Sequence, residues 1–350
     1  MRKSMYSLIV IALMMVPFTA QAVKVDLGDG KFVNFKGYWQ FHLLGDPAPG
    51  EIDGDWNTDW YLHRTRIMVG GKIHKNINFF LAPIWVGLGK NGDYSGREML
   101  LDAWIEFELS KALKINIGNL KLPFSWHMQQ SGATQHSLDF HGAFIKYGNG
   151  TMGHRDQGFM VRGLLADGML DYRLAVLDGA DDNGNSPRVV GRLGLNLADA
   201  LDGYFLPGTM LGKKKIMSFG LSFDFEPYIN GKDPFMAFAL DALIDIPLKE
   251  NGLVFQGSFY YYTDGAYMGE GMGFWADVGY RIKKFEPLVG FEMWMPSADD
   301  AQGWINILPG INYWIMGHAA NIKLQFGIKK IDDVDDMDMM ALLQFQYIYN

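Results

Sequence analysis

Arg64 and Arg66 stand two residues apart, Arg188 and Arg192 four apart, and Asp102 and Glu106 four apart. In an extended chain, even spacing puts such side chains on one face. Their apolar neighbours fix which face it is. With Ile67 and Val69 turned away, Arg64, Arg66 and Lys72 share the wet side, and the same parity places Arg162, Arg173, Arg188 and Arg192 there. Arginine keeps its charge and offers a planar fork that fits oxyanions. The chemistry this suggests is reversible recognition of anions and dipolar solutes rather than bond making. The second half of the chain supplies mostly acids at the equivalent positions, namely Asp224, Asp241, Asp277 and Glu292, while Asp102 and Glu106 are acids within the basic half. Charges of opposite sign across a wet face create a field that orients water and makes apolar solutes costly to admit.

Other reactive groups are sparse. His127, His136 and His141 fall in one connection, but their spacing matches no zinc motif. Ser125, His127 and Asp139 lie nearby without the spacing of a nucleophile, base and orienter. Asp181 to Asn185 looks calcium-like, yet Arg192 occupies the place where a calcium loop wants its bidentate glutamate. Cysteine is absent, so there is no disulfide, thiol nucleophile or cysteine metal site. No cofactor and no metal site is expected.

The elements that position these charges repeat with a period of two. Phe219, Leu221, Phe223 and Phe225 alternate with Ser218, Gly220, Ser222 and Asp224, and Ile322, Leu324, Phe326 and Ile328 alternate with Lys323, Gln325 and Gly327. These are strands with one apolar and one polar face. The N-terminus decides where they fold. A basic start (Arg2, Lys3), an apolar run from Tyr6 to Phe18 and the small-x-small site Ala20-Gln21-Ala22 form a secretory signal peptide over 1–22. The apolar run is shorter than the ~20 residues of a spanning helix. An exported chain can then cross a membrane only as a closed barrel, because an open sheet edge leaves backbone groups unsatisfied in hydrocarbon. The expectation is an all-β fold, a transmembrane antiparallel β-barrel of about sixteen strands over 23–350, located in the outer membrane of a Gram-negative bacterium. Removing Arg2 and Lys3 from the 31 basic residues leaves 29 against 39 acidic, a net −10, which argues against a nucleic-acid partner.

Connections alternate in length. His74-Lys75-Asn76, Ser110-Lys111-Ala112, Asp167-Gly168 and Lys283-Lys284 are tight, whereas 45–57, 90–96, 123–153 and 179–187 are long. Short periplasmic turns and long outer loops are a barrel signature. One connection breaks the rule: 199–215 falls on the periplasmic side and is long, so it is either an ordered periplasmic loop or a slip of register. The longest outer connection, the third, is expected to fold into the lumen, since a barrel of this size is too wide for its own side chains to fill. Its candidate constriction residues are Pro123, Phe124, Ser125, His127, His136, His141 and Lys146.

Several segments together resemble the phosphate-selective porin O and P family. They are Leu62 to Lys72, Leu101 to Phe107, Ile117-Gly118-Asn119-Leu120-Lys121-Leu122-Pro123-Phe124-Ser125, Arg155 to Phe159 and Tyr172 to Gly179. The resemblance covers residues 58–200. It implies a homotrimeric passive channel for small hydrophilic or anionic solutes, with basic side chains along the pore. The acidic stretches Glu51 to Asp55, Asp178 to Asp182 and Asp332 to Asp336 depart from the family's lysine-rich mouth, and phosphate specificity is not implied by the residues here. The expected surroundings are outer-membrane lipid and lipopolysaccharide, the latter bridged to acidic loops through divalent cations. Two other readings are a scaffold barrel sheathing a periplasmic partner and a barrel enzyme. The sequence leaves open the solute and the choice between anion and cation preference.

Overall fold

The computed structural model describes residues 23–47, 56–141, 144, 154–179, 186–227, 234–263, 269–334 and 336–349. The strands are β1 (Val23–Gly28), β2 (Lys31–Pro47), β3 (Trp56–His74), β4 (Ile77–Leu88), β5 (Arg97–Ser110), β6 (Leu113–Lys121), β7 (Arg155–Leu165), β8 (Leu170–Leu177) and β9 (Arg188–Asn196). They continue as β10 (Ile216–Glu226), β11 (Phe235–Leu248), β12 (Asn251–Tyr262), β13 (Gly271–Arg281), β14 (Phe285–Pro296), β15 (Trp304–Trp314), β16 (Ala320–Ile331) and β17 (Met337–Tyr349). Each of β2 to β17 pairs antiparallel with its neighbours, and β17 returns to β2, with Tyr349 opposite Gly37 and Ala341 opposite Gly45. The ring therefore closes on sixteen strands. Closure removes every edge that hydrocarbon would leave unsatisfied.

β1 lies outside the ring and pairs with β2, Val23 opposite Phe35. It takes the stretch of β2 that β17 no longer reaches. The sequence reading starts the first strand at residue 31. Val23, Val25 and Leu27 do alternate with Lys24 and Asp26, but the run is short. What makes it a strand is the hairpin behind it, where Asp29 (φ 53°) and Gly30 (φ 74°) take the left-handed turn that matches strand twist.

Period two becomes inside and outside. Phe219, Leu221, Phe223, Phe238, Leu240, Phe159, Leu174 and Leu193 are all exposed on the outer wall, while Ser218, Ser222, Asp224 and Asp241 are buried within. An apolar belt of this extent is not tolerated in water and calls for lipid. The inner face is packed as a polar and aromatic core around Tyr260, Tyr262, Trp275 and Phe124. Gly118 (φ 135°) and Gly158 (φ 152°) face each other across β6 and β7 below the third loop. A Cβ there would meet the carbonyl oxygens of Ala103 at 2.1 Å and Val176 at 2.3 Å. Glycine is needed for the walls to approach so closely.

Candidate functional site

The inward charges of the wall pair along the wall, between adjacent strands for Arg188 and over one intervening strand for the others. Arg66 and Arg155 both hold Asp102, Arg155 with Nε and Nη2 at 3.2 Å and Arg66 by a direct ion pair. Arg162 pairs with Glu106, which also accepts from Asn78 and Asn116, each at 3.1 Å. Arg188 forks onto Asp224 at 2.8 and 2.5 Å, and Arg192 onto Asp241 at 3.0 and 2.6 Å. The last pair reaches across β10 over Gly220, where a Cβ would lie 2.4 Å from Arg192 Nη2 and 2.5 Å from the Asp241 carboxylate. Desolvated charges must be matched in this way, since an unpaired one is costly. Neighbour pairing leaves much less net field across the lumen than a basic wall facing an acidic one.

Arg173 does something else. Its Nη1 donates to Gln129 Oε1 at 2.6 Å and to the Tyr204 carbonyl at 2.7 Å, and its Nη2 to the Gly203 carbonyl at 2.8 Å. It clasps two loops together. One is the third outer loop, which enters the lumen after Lys121. Leu122, Phe124, Ser125 and His127 are all nearly fully buried. Ser125 (φ 61°) caps the short helix α1 (Trp126–Gln129), accepting from the Met128 amide at 3.2 Å. Asp241 accepts the Trp126 amide at 3.0 Å, so one carboxylate serves both the wall and the loop. Ser125 Oγ lies 3.2 Å from the Tyr260 hydroxyl. His127 Nε2 accepts from the His141 amide at 3.0 Å, and Asp139 binds Arg64 and His63. Ser125, His127 and Asp139 are thus each held by other partners.

The loop then crosses to the opposite wall and is fastened there. Gln40 of β2 donates to the Gly132 carbonyl and Gln346 of β17 to the Ala133 carbonyl, both at 2.9 Å. Lys323 donates to the carbonyls of Gln135 at 2.7 Å and Ser137 at 2.8 Å. His136 faces Glu286 at 3.4 Å and Asp277 at 3.9 Å. His141 lies between Glu292, 2.6 Å from Nδ1, and Asp277, 3.2 Å from Nε2, with its ring stacked on Trp275 at 4.2 Å. Burial opposes the charge on His141, but Asp277 and Glu292 overcome it and lift its pKa from 6.5 to about 10. His136 is raised in the same way against its burial by Glu286 and Asp277. His127 goes the other way, held well below its ordinary value by burial and by the neighbouring His141. Asp139 is kept ionised despite burial by Arg64 and His63.

A β-bulge explains His63, which strand parity alone misses. Gln40 pairs with Arg64 but Phe41 with Leu62, so His63 is the extra residue. It turns inward beside Arg64, and both reach Asp139, at 2.7 Å from His63 Nε2 and 2.7 Å from Arg64 Nη1. The connection after β9 also turns inward. Leu206 exchanges backbone hydrogen bonds with Gln129 and Ser131, each 3.0 Å, and Gly208 donates to the Thr134 carbonyl at 3.0 Å. The length of 199–215 is the sequence signal for this loop, while its aromatic pair Tyr204-Phe205 carries no charge pattern to flag it. Lys146, Glu51 to Asp55 and Asp181 to Asn185 lie outside the described residues.

The two loops leave several separate open spaces against the wall. A cavity of about 390 Å³ is lined by Lys36, Asn78, Glu106, Glu108, Lys114, Arg162 and Tyr204. Another, of about 760 Å³, reaches the tight turns at 282–284 and 315–319 and is lined by Lys36, Arg66, Lys213, Arg281, Lys283 and Lys284, with no carboxylate in its lining. Towards the outer side a space of about 200 Å³ is bounded by Asp139, His141, Glu292 and Gln325. Among the described residues no group of three or more His, Asp or Glu side chains is arranged to hold a metal ion.

Comparison with known proteins agrees with this geometry. The family model of phosphate-selective porin O and P matches residues 45–186. No curated protein sequence matches the chain. Among solved structures, OmpF of Salmonella typhi in complex with daunomycin superposes with a TM-score of 0.65 at 12% identity, covering 93% of this chain and 100% of that one. The anion-selective porin from Comamonas acidovorans gives 0.61 at 10% identity, over 91% and 99%. The outer-membrane channel DcaP of Acinetobacter baumannii gives 0.61 at 12%, over 93% and 99%. Residues 45–186 thus carry the phosphate-selective porin O and P pattern, and the chain as a whole is built as a sixteen-stranded porin barrel.

Proposed function

We propose that this porin admits small hydrophilic solutes across the outer membrane by passive diffusion, through a narrow path with a weak preference for anions. The observation that carries the preference is the 760 Å³ periplasmic vestibule, whose lining holds six cationic side chains and no carboxylate. Low-dielectric walls focus such a field and raise the local concentration of anions. The wall arginines contribute less, because Arg66, Arg162, Arg188 and Arg192 each sit against a carboxylate. Selectivity is therefore a matter of the mouth, and no tight phosphate site is implied.

The same reading takes the N-terminal leader as an export signal and the functional unit as a homotrimer seated in lipid. Exposed Asp332, Asp333 and Asp336 at the outer rim suit cation-bridged lipopolysaccharide. Light scattering in gentle detergent checks the trimer, and monomer alone argues against it. The test of selectivity is the zero-current potential across a salt gradient in a planar bilayer. The wild type should lean weakly to anions, and Lys36, Lys213, Lys283 and Lys284 changed together to Gln should move it toward cations. A wild type that prefers cations refutes the anion reading.

A further inference from the structure

The connection after β9 lies beyond the region matched by the porin family model, yet it is one of the best-fastened loops of the molecule. Tyr204 is 6% exposed, and its hydroxyl accepts the Lys121 amide at 2.7 Å. Its ring lies 4.5 Å from Trp104 of β5. Phe205 sits 5.4 Å from Phe80 of β4 and 5.8 Å from the Arg66 guanidinium of β3. The tip thus closes the gap between the third loop and the wall that the third loop leaves uncovered.

The two open spaces beneath the constriction meet at this tip. Tyr204 lines the 390 Å³ cavity and Phe205 the 760 Å³ vestibule. The aromatic pair therefore stands at the border between the two spaces. Backbone bonding from Leu206 to Gln129 and Ser131, and the Arg173 clasp, fix its height in the lumen. An aromatic pair placed so admits solutes by size and by fit to a π-face, and it holds no charge of its own.

We infer that Tyr204-Phe205 is a second constriction, entering from the periplasmic side, that limits flow independently of the third loop. The third loop filters solutes on entry, and the periplasmic tip filters them again on exit.

Single-channel conductance in planar bilayers tests this. Phe205→Ala, which leaves the Tyr204 hydroxyl bond and the Arg173 clasp in place, should raise conductance by about twofold, as expected for widening a narrow gate. A second variant makes the position addressable. Phe205→Cys puts a single thiol into a chain that has no cysteine. A bulky methanethiosulfonate added on the periplasmic side should form a mixed disulfide with the thiol, releasing sulfinate, and lower conductance; a reductant that cleaves the disulfide should restore it. Equal conductance in wild type and Phe205→Ala, together with no response of Phe205→Cys to the reagent, overturns the inference.

Discussion

Replacing His141 with glutamine removes one cation from between two buried carboxylates. In the native loop its ring nitrogens lie 2.6 Å from Glu292 and 3.2 Å from Asp277, and the side chain is 2% exposed. The lift of its pKa from 6.5 to about 10 bounds the preference for the charged form at about 5 kcal/mol. Breaking a buried ion pair by removing one partner costs about 3–5 kcal/mol, which agrees. The lost stacking on Trp275 adds about 0.5–1.5 kcal/mol. Glutamine can donate to one carboxylate, so it recovers only part of this. The barrel does not depend on the site, because β13 and β14 keep their full ladder. Most of the loop also stays, because Lys323 holds the carbonyls of Gln135 and Ser137, and Arg64 holds Asp139. The change should therefore loosen the loop locally, around residues 138–141. Heat-modifiable migration on gels should remain native, while single-channel recordings at neutral pH should show added flicker and a higher open level. A correctly folded variant with native conductance and native noise would refute the view that this ion triad holds the constriction.

Four further outcomes follow from the same geometry. Deleting residues 130–141 behind a short Gly-Ser linker should raise conductance clearly, because it also removes the Ser131 amide bond to Leu206; unchanged conductance means the loop does not narrow the path. Changing Arg64 and Arg66 to Gln should shift the zero-current potential toward cations, since Asp139 and Asp102 lose guanidinium partners; no shift means these pairs do not face the path. His141 has a raised folded pKa, so its contribution is full below about 6.5 and is lost as pH rises through about 10. His318 is lowered by burial to about 4, so its neutral form contributes above 6.5 and that contribution is lost as pH falls through 4; thermal melting in detergent should accordingly peak between these limits, and a flat profile from pH 4 to 10 would count against both. Gly220→Ala should destabilise by about 1–3 kcal/mol through overpacking between Arg192 and Asp241, read as a lower melting temperature.

Strands were legible because their signal is local. Phe219, Leu221, Phe223 and Phe225 declare an outer face within one segment, and the tight turns around Asp167 and Lys283 declare where segments end. The third loop was legible from its length and from the Pro123-Phe124-Ser125 entry. Partnerships were not, because they depend on which strands lie side by side. Nothing near Arg192 in sequence announces Asp241, and Gly220 acquires meaning only as the gap between them. Arg173 reads as one more wet-face arginine, yet it spends its donors on loop carbonyls that come together only after the barrel closes. His63 was hidden by a bulge, since one extra residue reverses strand parity. The inward periplasmic loop was flagged by length alone, because Tyr204 and Phe205 belong to no periodic pattern.

The purified chain in a planar bilayer offers the most direct test of passive diffusion through this barrel. Single-channel recording across a salt gradient should show discrete, steady conductance steps, small for a sixteen-stranded barrel because two loops fill the lumen, with a zero-current potential slightly on the anion side. A membrane that stays silent with correctly folded protein, or large steps with a cation preference, would contradict it.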